Sequence, residues 1–147
     1  MLTKQLRAQI EIDANAERVW GVLTDFGAYA QWNPFITEAS GTAAVGERLT
    51  IRMQPEGGRG MAFRPTVLEA VSGTRLRWLG RVLLPGIFDG EHSFTIEPLD
   101  EGRVRLTQEE KFRGILVPLL SASLERRTLP GFEQMNQALK RRAEQAQ

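Results

Sequence analysis

The sequence predicts an α+β domain in which a meander of antiparallel strands packs against one long C-terminal helix. Three observations predict it. Apolar and polar residues alternate with period two in runs between residues 49 and 112, and turn-forming strings separate the runs. From Val117 to Leu139 the apolar residues recur at spacings of three and four, as on one face of a helix. The chain has 147 residues, about one domain on the usual range of roughly 100–200. A sheet with one apolar face must be covered, and that helix is the only large cover available.

The elements follow in order. Leu6, Ala8, Ile10 and Ile12 alternate with polar residues in a half-buried strand. Asp13 and Asn15 offer capping oxygens to a helix over Ala16–Asp25, where Val19, Trp20 and Leu23 share a face and Asp25 is read as an end cap. A second short helix over roughly Phe26–Trp32 should stop at Asn33, because Pro34 disfavours helical geometry in the residue before it. Leu49, Ile51 and Met53 then alternate with Thr50, Arg52 and Gln54, and Pro55 to Gly60 reads as a turn. A strand from Met61 to about Val71 contains Pro65, which points to an edge position or a bulge.

After the Ser72-Gly73 turn, Leu76, Trp78 and Val82 alternate with Arg75, Arg77 and Arg81, until Pro85-Gly86 ends the strand. His92, Phe94 and Ile96 share a face of the next strand, Asp100-Glu101-Gly102 is a hairpin turn, and Val104, Leu106, Gln108, Glu110 and Phe112 share a face of the last. In the C-terminal helix, Pro130-Gly131 predicts a kink or a break. Lys140, Arg141 and Arg142 place positive charge at the negative end of its dipole. The whole adds up to six or seven strands in a single domain spanning residues 1–147.

Composition narrows function. Hydrophobic residues make up 41% and charged residues 25%, as in a globular domain. Nineteen basic residues face 18 acidic ones, so the net charge of +1 gives no global field to recruit nucleic acid. With no cysteine, disulfides, iron–sulfur clusters, zinc–thiolate sites and cysteine nucleophiles are excluded. The single histidine, His92, excludes multi-histidine metal sites and must carry any histidine acid–base chemistry. Pro55 to Gly60 is glycine-rich but lacks the lysine and hydroxyl residue of a P-loop. No signal peptide and no apolar run of transmembrane length is read, the longest being Ile115–Leu120. The expectation is a cytoplasmic monomer or homodimer with no metal, no cofactor and no nucleic-acid partner.

The strand register singles out His92. If Pro98 faces Val104 across the hairpin, then Ile96 faces Leu106, Phe94 faces Gln108 and His92 faces Glu110, all on the apolar face. Opposed Cβ atoms lie roughly 4.5–5.5 Å apart, so imidazole and carboxylate could touch. Such a pair suits a general base. A mutually satisfied polar pair or a hydrogen bond to a ligand is the simpler reading, and the one preferred here. A one-residue slip would move one partner to the other face. Trp20, Trp32, Phe35, Trp78, Phe88 and Phe94 are the aromatic candidates for a cavity wall, with Trp20 expected in the core. Arg75, Arg77, Arg81, Arg103 and Arg105 share the outer parity with Glu91, Glu97 and Glu109, which reads as a solvated, mixed-charge face.

The order of elements and several strings resemble the START/Bet v 1-like superfamily (SRPBCC, polyketide cyclase/dehydrase-like). Ile12-Asp13-Ala14-Asn15-Ala16-Glu17-Arg18-Val19-Trp20 is similar to that family's opening strand and first helix. Leu23-Thr24-Asp25-Phe26 and Tyr29-Ala30-Gln31-Trp32-Asn33-Pro34-Phe35 continue it. Val67-Leu68-Glu69-Ala70-Val71 with Leu76-Arg77-Trp78 resembles its central hairpin. Gly90-Glu91-His92-Ser93-Phe94 and Phe112-Arg113-Gly114-Ile115-Leu116 resemble a CoxG-like bacterial branch. Asn15 stands where the family often has proline.

The resemblance implies a helix-grip fold and a mostly apolar cavity between the sheet and the C-terminal helix. It implies a small hydrophobic ligand (a lipid, polyketide or aromatic compound). Trp32 and Phe35 would lie near the mouth. Leu49, Ile51, Met53, Trp78, Phe94, Leu106, Leu120, Leu124, Phe132 and Met135 would line the wall. His92, Gln108 and Glu110 would supply the convergent polar groups. Two other functions fit the same residues. One is a cyclase or dehydratase with His92 as acid–base and Glu110 as its orienter. The other is a protein-interaction or assembly factor that uses the outer face or the helix ends.

Overall fold

The computed structural model describes residues 2–55, 57–82, 84–100 and 102–145. Glu56 and Glu101, both read above as turn residues, lie outside them. The chain forms β1 (Thr3–Ile12), α1 (Ala16–Thr24), a 3-10 turn over Phe26–Ala28 and α2 (Tyr29–Trp32). Then come β2 (Ile36–Ser40), β3 (Thr50–Met53), β4 (Met61–Phe63), β5 (Thr66–Val71), β6 (Arg75–Val82), β7 (Phe88–Pro98) and β8 (Val104–Arg113). A continuous C-terminal helix of 28 residues closes the fold. It consists of α3 (Val117–Ser123), a π-helical segment over Leu124–Thr128 and α4 (Leu129–Glu144).

The strands make a five-stranded antiparallel sheet, ordered β1-β8-β7-β6-β5, and a three-stranded sheet, ordered β2-β3-β4. The two are tied by a bridge between Arg48 and Thr66 and by main-chain bonds from Leu49 N to Pro65 O and from Val67 N to Glu47 O. Pro65 causes the division. It has no N–H to donate, and it separates β4 from β5 within what the alternation reads as one strand. β2 was not anticipated. Its pairing with β3 shifts register between Ile36 and Glu38, which erases the period-two signal.

The C-terminal helix is not broken at Pro130, but it leaves α geometry over Leu124–Thr128 just before it. A proline ring crowds the carbonyl four residues back and cannot close its own helical bond. The turn just before it widens into the π segment, which absorbs both defects. Gly131 then allows a close approach, since a Cβ there would collide with the Phe35 ring. At the far end, Arg18 of α1 donates to the carbonyls of Arg142, Ala143 and Gln145, which have no partner inside the helix.

Short-range chemistry sets the entry to the fold. Asn15 caps α1, its Oδ1 accepting from Arg18 N at 2.8 Å. The Asp25 side chain makes no capping bond, so the helix-end role expected of it falls to its backbone N–H, which bonds Gly21 O. Tyr29 is fully buried and its hydroxyl donates to Leu23 O. Burial, and then the nearby Asp25 carboxylate, push its phenol far above the ordinary tyrosine range, so it stays neutral. On the outer sheet face Arg75 and Arg77 share Glu69, Arg77 also meets Glu91, and Arg105 bridges Glu97 and Glu11. These partly exposed pairs make the mixed-charge surface that the alternation implies.

Candidate functional site

The register of the large sheet builds the site. Pro98, Ile96, Phe94 and His92 stand opposite Val104, Leu106, Gln108 and Glu110. On its other side, β7 sets Phe94 against Leu76, His92 against Trp78 and Gly90 against Gly80. The inner face therefore carries three successive cross-strand rows. Leu76, Phe94 and Gln108 are closed over by helix. Trp78, His92 and Glu110 come next, and then Gly80, Gly90 and Phe112.

The last two rows face a cavity of about 100 Å³. Phe35, Ile51, Met53, Trp78, Phe88 and Phe112 supply most of its apolar wall. Met61, Phe63 and Pro65 close it from β4 and the following turn, and Leu124 and Thr128 close it from the π segment. The two glycines are what leave the space, because neither strand fills it with a side chain. Gly90 has a second role. A Cβ there would collide with Glu110 Oε2, so only glycine lets that carboxylate sit where it does.

His92 is 1% exposed and Glu110 9%, and His92 Nδ1 lies 3.3 Å from Glu110 Oε1. On the other side of the ring, His92 Nε2 lies 2.9 Å from Gln108 Oε1. Gln108 Nε2 donates to Asn136 Oδ1 at 2.8 Å and to the Phe132 carbonyl at 3.4 Å, which ties the row to α4. Aromatic rings box the imidazole. Phe94 stacks on it at 4.8 Å between centroids, with Phe132 at 5.0 Å and Trp78 at 5.3 Å. Phe35 is aimed by Asn33, whose Oδ1 accepts from the backbone N–H of Phe35 and Ile36.

The structure sorts the sequence candidates. Phe35, Ile51, Met53, Trp78, His92, Glu110 and Leu124 reach the cavity wall. Leu49, Phe94, Leu106, Phe132 and Met135 are fully buried core, not wall, because each lies where helix or second sheet is packed down without a gap. Gln108 is also fully buried and touches His92 instead of the cavity. Trp32 leaves the mouth for a surface groove beside Arg18 and Arg142, its ring against Tyr29. Leu120 is only half-buried and off the wall. Unforeseen wall residues include Met61, Phe63, Phe112, Gly80, Gly90 and Thr128. Phe112 and Gly90 could have been found by carrying the register two residues past His92. Thr128 stands four residues from both Leu124 and Phe132, so the helical spacing already puts it on their face. Among the described residues no three His, Asp or Glu side chains gather to hold a metal ion, and no helix is long and apolar enough to cross a membrane.

Comparison with known proteins gives a consistent answer. The family model described as polyketide cyclase / dehydrase and lipid transport matches residues 3–144. No curated protein sequence matches. A START superfamily protein from Mycobacterium smegmatis superposes with a TM-score of 0.70 at 22% identity, over 96% of this chain and 97% of that one. The Zhui aromatase/cyclase of Streptomyces sp. R1128 does so with a TM-score of 0.74 at 17% identity, over 97% and 94%. A hypothetical protein from Helicobacter pylori reaches 0.80 at 17% identity, over 96% and 88%. At such identities these neighbours share the helix-grip fold. Since the family model spans nearly the whole chain, the chain belongs to the polyketide cyclase / dehydrase and lipid transport family.

Proposed function

We propose that this chain binds a small, largely apolar molecule (an aromatic, polyketide or lipid compound) in the cavity between β6–β8 and the C-terminal helix. One observation carries the reading. Apart from the Thr128 hydroxyl the side chains of the wall are apolar, and its two ionisable groups, His92 and Glu110, meet at a single spot. Apolar walls hold a ligand without discriminating much, and a few placed polar groups orient it. The space of about 100 Å³ would hold roughly three waters, so anything beyond a single ring has to part the mouth. β4, Val82 at the end of β6 and Phe88 at the start of β7 line part of that space.

Native mass spectrometry of protein from its own host tests the reading directly, with a stoichiometric apolar adduct as the expected result. Gly80→Leu is the companion variant. A Cβ at Gly80 meets only Pro65 at 3.9 Å, so the longer side chain projects into the space. Loss of the adduct in a folded Gly80→Leu protein supports the cavity. An unchanged adduct removes it.

A second reading, a cyclase or dehydratase, is favoured by the His92–Glu110 contact itself. A His92→Ala variant that keeps affinity but loses turnover would establish it. Unchanged binding and turnover would remove His92 from the functional account. The same proposal has the protein working in the cytoplasm as a monomer or homodimer without nucleic acid. The paired charges of the outer sheet face support the last point.

A further inference from the structure

We infer that Gln108 locks the His92 ring with its proton on Nε2, and that the site therefore accepts a neutral ligand bearing a hydrogen-bond donor, such as a hydroxyl. The inference rests on the apolar-ligand reading above and specifies the headgroup. A main-chain carbonyl can only accept, and Phe132 O faces the Gln108 side-chain nitrogen. That fixes which end of the Gln108 amide is NH₂. Asn136 agrees, turning its oxygen to the same nitrogen. Turning both amides over would set Gln108 Oε1 against Phe132 O, two acceptors with no proton between them. The cost of the observed orientation is one donor, Asn136 Nδ2, which has no partner.

Gln108 Oε1 is thus the atom facing His92 Nε2, and as an acceptor it requires Nε2–H. The remaining ring nitrogen, Nδ1, faces Glu110 Oε1. A contact between a bare nitrogen and a carboxylate oxygen would be acceptor against acceptor, so one proton lies between them. It can sit on Nδ1, giving imidazolium and carboxylate. It can sit on Oε1, giving neutral imidazole and carboxylic acid. The pair is net neutral either way. Glu110 Oε2, aimed past Gly90, has no hydrogen-bond partner among the described residues and is an acceptor in both forms. The opposite tautomer would donate from Nδ1 to an ionised Glu110 and leave a net negative charge on the wall, a site for a cation. The amide of a residue that never touches the cavity thus selects the ligand class, which makes Gln108 a positioning residue.

The lone histidine makes the test clean, since ¹⁵N-labelled protein gives a single imidazole signal set. The expected spectrum of the wild type has Nε2 protonated. A bare Nε2 with a protonated Nδ1 overturns the lock. In Gln108→Leu the Nε2–H form loses its acceptor and the ring signals shift toward a tautomer mixture, while Gln108→Glu, which keeps an acceptor oxygen toward Nε2 and can turn a carboxyl proton to Asn136 Oδ1, keeps Nε2 protonated. Should neither variant fold, the wild-type spectrum still decides. The ligand class is read by titrating toluene, phenol, benzylammonium and benzoate and following the cavity-wall resonances of Trp78 and Phe112. Phenol should bind about tenfold tighter than toluene, and benzoate weakest. Benzylammonium or benzoate binding tightest overturns the class. If none of the four moves those resonances while Nε2–H is seen, the apolar-ligand reading and the ligand class fail and the lock stands.

Discussion

Strands β6, β7 and β8 run through two different interiors. In one half, Leu76, Phe94, Ile96, Val104 and Leu106 are 0–2% exposed and packed against helix without a gap. In the other half the same three strands carry Gly80, Gly90, His92 and Glu110, and a cavity opens. Backbone geometry is shared, so side-chain volume alone makes one half core and the other a site. Interiors are close-packed by default, and a void persists only where the sequence declines to fill it.

The largest test of that contrast is truncation on either side of the His92 row. Phe94→Ala should lower stability by about 3–5 kcal/mol, because its neighbours cannot collapse into the gap. Phe88→Ala, at the cavity wall, should cost less than half of that in the same urea titration. Equal losses would mean that the cavity half is as tightly packed as the core. The next test reverses the sign of the volume change. Gly131→Ala forces a methyl group into the Phe35 ring and should cost about 1–3 kcal/mol. Gly80→Ala adds the same methyl group to open space and should leave the melting temperature within about a degree or two or raise it.

Polar deletions come third. Gln108→Leu strips the buried His92 and Asn136 of their partner and should cost about 1–3 kcal/mol in the same titration. Tyr29→Phe, in the packed half, removes only the bond to Leu23 O, worth about 1 kcal/mol. The smallest effect lies at the surface. Lys140 at 2.6 Å, then the backbone N–H of Asp13, hold the Glu144 carboxyl below the ordinary carboxylate range. Because the folded value is the lower one, this contribution is present above the unfolded carboxylate range and lost as pH falls through the folded value. Wild type and Glu144→Gln should differ by less than about 1 kcal/mol near neutral pH and converge in acid.

Much of the contrast was legible in the sequence. Alternation in 91–97 and 103–112, with one hairpin turn between, was enough to oppose His92 and Glu110 before any coordinates, and the structure has that register. It worked because a period of two leaves only two faces to choose from. The wall was less legible. Leu49, Leu106 and Met135 are as apolar as Ile51 or Met53, and nothing in their spacing says which will meet a neighbour and which a void. Trp32 was expected near the mouth only from the family resemblance of its segment, yet it packs its ring against Tyr29 in a surface groove instead.

By itself, then, the sequence determined the α+β class, the register that opposes His92 and Glu110, and the absence of cysteine and of any second histidine. These are local properties, written in periodicity and composition. Tertiary structure alone decided where the cavity lies, that Gln108 reads its orientation from a helix carbonyl, and that the turn before Pro130 widens into a π segment. Each of these depends on how far apart two elements come to rest. That distance is set by the summed volumes of residues remote in sequence, which no single segment encodes.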